Sequence, residues 1–382
     1  MSDLLPEPDR IEGAPHPRET ARLFGQDPAE AAFLEAYNSG RMHHGWLITG
    51  PRGVGKATLA WRIARFLLAT PPAGGDDMFG GPPAPASLDI SPDHPVARRM
   101  LALSEPGLFL LRRGGAGSTD NDRDKNLRDG KFAAEIRVDE VRRLANFFHM
   151  SASDGGRRVV IVDAADEMNV QAANALLKML EEPPANTTLL LVCHQPTRLL
   201  PTIRSRCREL RLTPLPPEAI ADALEQAHVT MPDHPEGLAE LAAGSVGEAI
   251  SLINLGGMQM YRELVGLYGT LPRMDRARAL ALAEAAGARG AAAKLDLLID
   301  LNDLLLTRLA RSGAMGCPPA VEAVPGEAAL FARLAPNPHK ARDWAVIAQQ
   351  IGARVRHGRA VNLDPAALIL DTVFKIQQTA AG

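Results

Sequence analysis

The sequence predicts an α/β protein with a mostly parallel sheet, followed by a region of helices alone. Short, wholly apolar runs alternate with amphipathic helical segments over roughly the first 210 residues, which is typical of parallel strands covered by helices on both faces. Beyond that point only helical periodicity remains. Aromatic residues make up 4% of a chain that is 46% hydrophobic, which favours Ala- and Leu-rich helical cores over an all-β fold.

Strands and helices are predicted to alternate regularly through the first half of the chain. Residues 1–20 are rich in Pro, Glu and Arg and are predicted to be irregular. A proline pair at 183–184 ends the last helix of this half. The predicted strands are 46–49, 108–111, 159–163 and 189–192, and the predicted helices are 28–38, 56–69, 96–103, 139–150 and 170–182.

Two stretches interrupt this alternation. Residues 71–94 are too rich in Pro and Gly for a regular element, and residues 112–131 are polar with mixed charge. We interpret the whole segment of about 71–131 as a flexible surface insert. The predicted domains are an α/β domain of residues 1–214, a small helical domain of 215–257 and a larger helical domain of 258–382.

Charge and cysteine content exclude several classes of protein. The chain has 42 basic and 45 acidic residues, a net charge of −3, which excludes a generic polycationic DNA coat but not a local basic face. Three cysteines, at 193, 207 and 317, form no CxxC pair and no zinc ligand set, as is typical of a reducing compartment. The N-terminus is unlike a signal peptide, and no apolar run approaches the roughly 18 residues of a membrane span. We therefore expect a soluble, cytoplasmic protein.

Residues 50–58 are nearly a Walker A phosphate loop, between a predicted strand and a predicted helix as that motif requires. Gly50, Gly53 and Gly55 let backbone N–H groups turn toward phosphate, and the N-terminus of the following helix adds its dipole. Lys56 would reach the β- and γ-phosphates. The loop is therefore a candidate nucleotide site.

The Mg²⁺ ligand that should follow the loop lysine is missing. Ala57 stands where a Ser or Thr hydroxyl would bind the metal. Thr58 is one residue further on, about 100° round the helix, which makes it a poor substitute. A lost metal ligand argues against efficient hydrolysis but leaves nucleotide binding open.

The acidic strand end of the nucleotide site has a second gap. Asp163 ends a predicted strand, where the acid that organises Mg²⁺ belongs. Ala164 follows it in place of the Glu that polarises water in ATPases of this kind. Asp166 and Glu167 come later and are predicted to form a solvated acidic turn.

Three further motifs give the chain a resemblance to the AAA+ module of bacterial clamp-loader subunits, over residues 20–212. Residues 41–46 (RMHHGW) look like the segment that leads into the phosphate loop of that family. Residues 174–184 (NALLKMLEEPP) are similar to its helix after the acidic strand, and residues 205–207 (SRC) resemble its arginine motif. The resemblance implies an AAA+ domain with a helical lid at 215–257 and a helical collar at 258–382.

That family contains ATPase subunits, gamma and tau, and a delta-prime type with weak or missing ATPase machinery. Ala57 and Ala164 are joined here by two more departures from the ATPase pattern. Gly247 stands where a sensor arginine is expected, and Cys193-His194 stand where a Thr is expected. With the SRC motif intact, the four departures resemble the delta-prime type.

The resemblance implies a stator subunit of the DNA polymerase III clamp loader with little or no ATPase activity of its own. Arg206 would act in trans as an arginine finger on the ATP of a neighbouring gamma or tau subunit, and Ser205 and Cys207 would shape its turn. The implied partners are gamma/tau and delta subunits in a hetero-pentameric ring, which reaches the sliding clamp and primer-template DNA. An active ATPase, gamma/tau-like or another AAA+ enzyme, is the alternative.

A zinc module is also usual in that family, with four cysteines between the phosphate-loop helix and the acidic strand. This chain has no cysteine there, so we expect no zinc. A metal role is not expected for Cys193-His194 either, since a strand end packed in the core explains them better. Weakly bound ATP or ADP, at Gly53, Gly55 and Lys56, is left open.

Overall fold

The structure is a computed structural model of the chain. Part of the predicted insert, residues 71–83, lies outside the described residues, so the prediction is not tested there. The described residues are 6–11, 13–70, 84–150, 156–288, 290–361 and 363–381.

The chain forms two compact units. The first contains the chain up to Val229 together with Gly244–Gly247, and the second contains Thr230–Ala243 and the chain from Glu248 onward. The finer division into an α/β domain, a lid and a collar stays a prediction.

The first unit is built on a parallel sheet of five strands in the order β2-β3-β4-β1-β5. Four of them confirm the predicted strands. The fifth was not predicted, because its sequence, Arg-Glu-Leu-Arg, holds a single apolar residue. Leu210 is also its only buried residue, as suits a strand at the edge of a sheet. The strands are β1 (Gly45–Thr49), β2 (Leu108–Arg112), β3 (Arg158–Asp163), β4 (Thr187–Cys193) and β5 (Arg208–Arg211).

Eight α-helices lie in the described residues of the first unit, and one of them lies where the sequence predicts a polar loop. This helix, Asp120–Arg128, has no buried residue, so no apolar period marks it in the sequence. The Thr119 side chain caps it by accepting from the Asp122 N–H at 3.2 Å. The helices are α1 (Asp27–Asn38), α2 (Lys56–Ala69), α3 (Pro95–Leu101), α4 (Asp120–Arg128), α5 (Val138–Met150), α6 (Val170–Glu181), α7 (Pro201–Arg204) and α8 (Pro217–Gln226).

Helices cover both faces of this sheet. Leu47, Val160 and Leu191 share one hydrophobic cluster with residues of α5 and α6. Because side chains alternate along a strand, Trp46 and Ile48 point to the other face, where α2 packs on β1, β3 and β4. Both residues are fully buried, so the strands are apolar on both sides, as the sequence predicts.

The described residues of the second unit form helices joined by loops and no strand, in agreement with the sequence. One long helix, Ala292–Met315, packs against four others. No single helix among the described residues could cross a membrane. One bent pair of helices, Pro235–Ala242 and Val246–Leu255, has the length and composition of a membrane span when the two are taken together. The helices are α9 (Pro235–Ala242), α10 (Val246–Leu255), α11 (Gly257–Gly269), α12 (Arg276–Gly287), α13 (Ala292–Met315), α14 (Glu327–Leu334), α15 (Pro338–Ala360) and α16 (Pro365–Ala381).

A buried ionic cluster links four helices of the second unit. Arg308 of α13 donates to both carboxylate oxygens of Glu327, at 2.8 and 3.0 Å, and to Glu240 at 2.8 Å. Glu327 is 0% exposed and also accepts from the Tyr261 hydroxyl and from the Ala323 N–H. The buried carboxylate thus has four donors, which is what its burial requires.

Candidate functional site

The phosphate loop connects β1 to α2 at the carboxyl edge of the sheet. Gly50, Gly53 and Gly55 have φ angles of 144°, 71° and 99°, which residues with a side chain rarely adopt. Room for a side chain is also missing at Gly50, where a Cβ would lie 2.6 Å from the Leu212 carbonyl oxygen. The three glycines singled out in the sequence therefore do form a tight loop.

Lys56, the first residue of α2, is held inside this loop. Its ammonium donates to the Gly50 carbonyl at 2.8 Å and to the Pro51 carbonyl, and the residue is 3% exposed. Burial lowers the pKa of Lys56 to about 8, against the attraction of Asp163 and other acidic groups. A phosphate would have to replace the two carbonyls as partner of the ammonium.

A second segment of the first unit lies directly on the loop. The Gly247 N–H donates to the Gly53 carbonyl at 3.2 Å, and a Cβ on Gly53 would lie 2.1 Å from Ser245 Oγ. A Cβ on Gly247 would lie 2.7 Å from Ile11 Cδ1. A side chain at position 247 would therefore require Ile11 to move, and its Cβ would lie 3.0 Å from the Gly53 Cα.

The irregular N-terminal segment is anchored beside the same edge. Asp9 accepts from Arg112 at 2.6 Å, and Glu7 accepts from Arg18 at 2.6 Å. Glu7, Asp9 and His16 form the one group of potential metal ligands found in the described part of the chain. His16 Nδ1 accepts from the Arg18 N–H, so Nε2 carries the proton toward Asp9, 3.1 Å away. Arginines already neutralise these carboxylates, and the protonated Nε2 is not available to a cation.

Asp163 ends β3 beside this cluster, and its register partner on β2 is Arg112. Burial, together with the charges of Asp9 and Glu167, raises the pKa of Asp163 to about 7, against the opposing charges of Lys56 and Arg112. The carboxyl group is thus close to half-protonated at neutral pH.

We expect Asp163→Asn to stabilise the protein above neutral pH. The pKa of Asp163 rises from 3.8 to about 7 on folding, so its contribution to the free energy of unfolding falls as pH rises through that window. The asparagine variant should be more stable by about 4 kcal/mol at pH 8 and nearly equal to wild type at pH 4, as measured by urea unfolding. Asp124→Asn, at an exposed position of α4, is the matched control, and a pH-independent gain at Asp163 would contradict the prediction.

Asp166 does not lie in a solvated turn, and the sequence prediction is wrong for this residue. It is 7% exposed and accepts the backbone N–H groups of His194 and the following residue, both at 3.0 Å. Glu167 is partly buried and pairs with Arg52 at 2.9 Å and Arg113 at 3.0 Å. Asp166 thus fixes the loop after β4, a contact that its sequence neighbours do not indicate.

Cys193 and His194 close the carboxyl edge. Cys193 is fully buried in the hydrophobic cluster, which confirms the expected packing of this strand end in the core. Burial raises the pKa of the Cys193 thiol to about 12. Burial and then the charge of Lys56 lower the pKa of His194 to about 4, against Asp166. Both side chains are therefore uncharged at neutral pH.

The arginine motif lies at the opposite, amino edge of the sheet. Ser205, Arg206 and Cys207 lead from α7 into β5, whose first residue, Arg208, pairs with Trp46 near the start of β1. The chain's own phosphate loop begins after the last residue of β1. At about 3.3 Å per residue, the strand separates the motif from the loop by roughly 15 Å.

Arg206 is partly exposed, and two of its guanidinium nitrogens bind groups of its own chain. Its Nη1 donates to the Thr202 carbonyl at 3.0 Å, and its Nη2 lies 2.9 Å from Glu181 Oε1. The Ser205 hydroxyl donates to the same carbonyl at 3.1 Å, and burial raises the pKa of Cys207 to about 12. The predicted site residues therefore lie in two places, with Gly50, Gly53, Gly55, Lys56, Thr58 and Asp163 at the carboxyl edge and Ser205, Arg206 and Cys207 at the amino edge.

A glycine loop after β1 and an acid at the end of β3, on a parallel sheet, define an α/β protein of the P-loop class. Residues 25–216, just over half of the chain, match the family model described as DNA polymerase III, delta subunit. The chain belongs to this family.

The chain is similar to three curated proteins of DNA polymerase III. DNA polymerase III subunit delta' of Pseudomonas aeruginosa is 38% identical over 215 residues, 56% of each chain. The Escherichia coli protein of the same name is 34% identical over 221 residues, 57% of each chain. DNA polymerase III subunit tau of Salmonella typhimurium is 29% identical over 289 residues, 70% of this chain and 38% of that protein. The chain thus spans little more than half the length of the delta' relatives.

Proposed function

We propose that the chain is a largely non-hydrolysing, delta-prime-type subunit of the DNA polymerase III clamp loader. It acts as a stator and supplies Arg206 in trans to the ATP of a neighbouring gamma or tau subunit. Ser205 and Cys207 shape the turn that presents this arginine. The names of the curated relatives support the class of subunit, and the placement of Arg206 supports the mechanism.

The observation that carries the mechanism is the position of Arg206 at the amino edge of the sheet. An arginine about 15 Å from its own glycine loop is too far for direct contact with a phosphate there. A guanidinium supplied to another chain's γ-phosphate stabilises the charge that develops in phosphoryl transfer. Because Arg206 is partly exposed, it is accessible to a neighbouring subunit.

The carboxyl edge supports a weak nucleotide site without efficient hydrolysis. Ala57 and Ala164 remove groups that act on Mg²⁺ and water, and Gly247 lies against the loop backbone. The residues that would hold ATP or ADP are those of the loop, with Thr58 at the start of α2 and Asp163 at the end of β3. No zinc is proposed.

The wider assembly follows from the same proposal. The partners are gamma/tau and delta subunits in a hetero-pentameric ring, and through the ring the sliding clamp and primer-template DNA. Residues 215–257 act as a lid and residues 258–382 as an oligomerising collar. The place of action is the cytoplasm, at the replisome. Co-purification with gamma/tau and delta subunits would test this membership, and failure to assemble would contradict it.

The isolated chain is expected to turn over ATP far more slowly than about 1 per second, the lower end of ordinary enzyme rates. Phosphate release from the pure chain, with and without primed DNA, measures this directly. Turnover at or above that rate would favour the alternative, an active gamma/tau-like motor or another AAA+ ATPase. Lys56→Ala is the control, since residual activity that survives it comes from a contaminant. Calorimetry with ATP on the same two proteins reports whether the loop binds nucleotide.

A further inference from the structure

The three motifs that carry the family resemblance, residues 41–46, 174–184 and 205–207, are separate in the sequence but meet at the amino end of β1. His44 Nε2 donates to the Leu180 carbonyl of α6 at 2.9 Å. A Cβ on Gly45 would lie 2.9 Å from Leu180 Cδ2, 3.2 Å from the Arg206 carbonyl oxygen and 3.3 Å from Cys207 Sγ. The absence of a side chain at Gly45 thus lets the end of α6 and the arginine turn approach β1 together.

Glu181, the last residue of α6, connects this corner to the guanidinium of Arg206. Its Oε1 lies 2.9 Å from Nη2, while the Thr202 carbonyl accepts from Nη1. The same helix buries Leu176 and Leu180 in the sheet core. The carboxylate therefore projects from a packed element and orients a side chain that otherwise has many rotamers.

We propose that Glu181 is the positioning residue for Arg206, an inference that rests on the proposed function. Glu181 acts through the guanidinium rather than on the nucleotide. Two donors of the guanidinium are fixed from its own chain, and the other three N–H groups stay available for a phosphate. An arginine held in one orientation loses less conformational freedom when the transition state forms, so its contribution to the rate is larger.

The test uses the assembled clamp loader and the part of its ATP hydrolysis that depends on Arg206. That part is the difference between the wild-type complex and the complex with Arg206→Ala. Glu181→Gln keeps the shape of the side chain but removes its charge. We expect it to lower the Arg206-dependent kcat about threefold to fivefold, the range of an exposed ion pair, with little change in KM for ATP. Glu182→Gln, one residue further on with no ion pair among the described residues, should leave the rate unchanged.

The double variant separates positioning from a general structural role. In an Arg206→Ala background, Glu181→Gln should cause no further loss, because the group it positions is gone. A loss of the same size in that background would overturn the inference, as would an unchanged rate in the single variant. If Arg206→Ala itself has no effect, the proposed function fails instead, so the two failures are distinguishable.

The isolated chain offers a readout that does not depend on the proposed function. In the ion pair, rotation of the Arg206 guanidinium is restricted, and its Nη–H groups should give resolved NMR signals. Glu181→Gln should broaden these signals, while Glu182→Gln should not. Equal spectra for wild type and Glu181→Gln would mean that the carboxylate does not hold the guanidinium, which would also overturn the inference.

Discussion

Replacing Arg206 with alanine is expected to slow ATP hydrolysis at the neighbouring subunit's site by on the order of 10³-fold, if Arg206 is the sole finger there. The chain should remain folded and the complex assembled, because the side chain is partly exposed and its ion pair with Glu181 is worth about 1 kcal/mol or less. In a ring with several ATP sites, total hydrolysis should fall only in part. Clamp loading should fall more than total hydrolysis.

The conservative and neighbouring variants sharpen this test. Arg206→Lys should rescue the rate poorly, because a point charge does not reproduce the planar fork of the guanidinium. Arg204→Ala, two residues away at an exposed position of α7, is the matched control and should behave as wild type. Circular dichroism and an assembly assay identify variants that fail to fold. Unchanged hydrolysis and clamp loading in a fully assembled Arg206→Ala complex would refute the proposed function.

The second large effect is expected on stability, at the ionic cluster of the second unit. Arg308→Met leaves the carboxylate of Glu327 buried without its counter-ion, which should cost about 3–5 kcal/mol of unfolding free energy. Urea unfolding followed by helical circular dichroism measures the change. Arg354→Met is the matched control: its pair with Asp371 is about half-exposed, at 2.9 Å, and should cost less than about 1 kcal/mol.

Removing both charges distinguishes a desolvation penalty from simple loss of packing. The double variant Arg308→Met, Glu327→Leu has no buried charge left to desolvate, so it should recover part of the stability lost in the single variant. The recovery is limited because the Tyr261 hydroxyl and the Ala323 N–H lose their acceptor. If the two changes simply add, the cluster contributes through side-chain volume, and the electrostatic account of it is wrong.

The sequence predicts those parts of the fold that are marked by an unbroken apolar run or by a helical period of apolar residues. β1, β3 and β4 lie inside the sheet and are apolar on both faces, so their runs stand out in the sequence. The sequence does not predict β5 or α4, because each holds a single apolar residue, and one apolar residue shows no period. Hydrogen bonds to β1 stabilise β5 as a strand. The Thr119 cap, and charges that complement the helix dipole, stabilise α4.

The site was predictable where the chemistry depends on consecutive residues. Glycines 50, 53 and 55 followed by Lys56 form such a motif. Asp166, by contrast, binds backbone groups 28 residues away, and Glu181 acts on a residue beyond the next strand. Such contacts depend on the topology of the sheet, which local sequence does not specify.

Because all five strands run in one direction, Arg206 and the glycine loop lie at opposite edges of the sheet. Under the proposed function, one edge supplies an arginine and the other would receive one. Subunits that lend an arginine on one side and accept one on the other associate head to tail in a row, not as two-fold pairs. Under the proposed function, this chain supplies Arg206 to a neighbour. Its own loop lacks the groups for hydrolysis, so an arginine from another subunit would not increase hydrolysis there. We therefore expect this chain at one end of such a row. A second copy at an internal position would interrupt the series of ATP sites that hydrolyse.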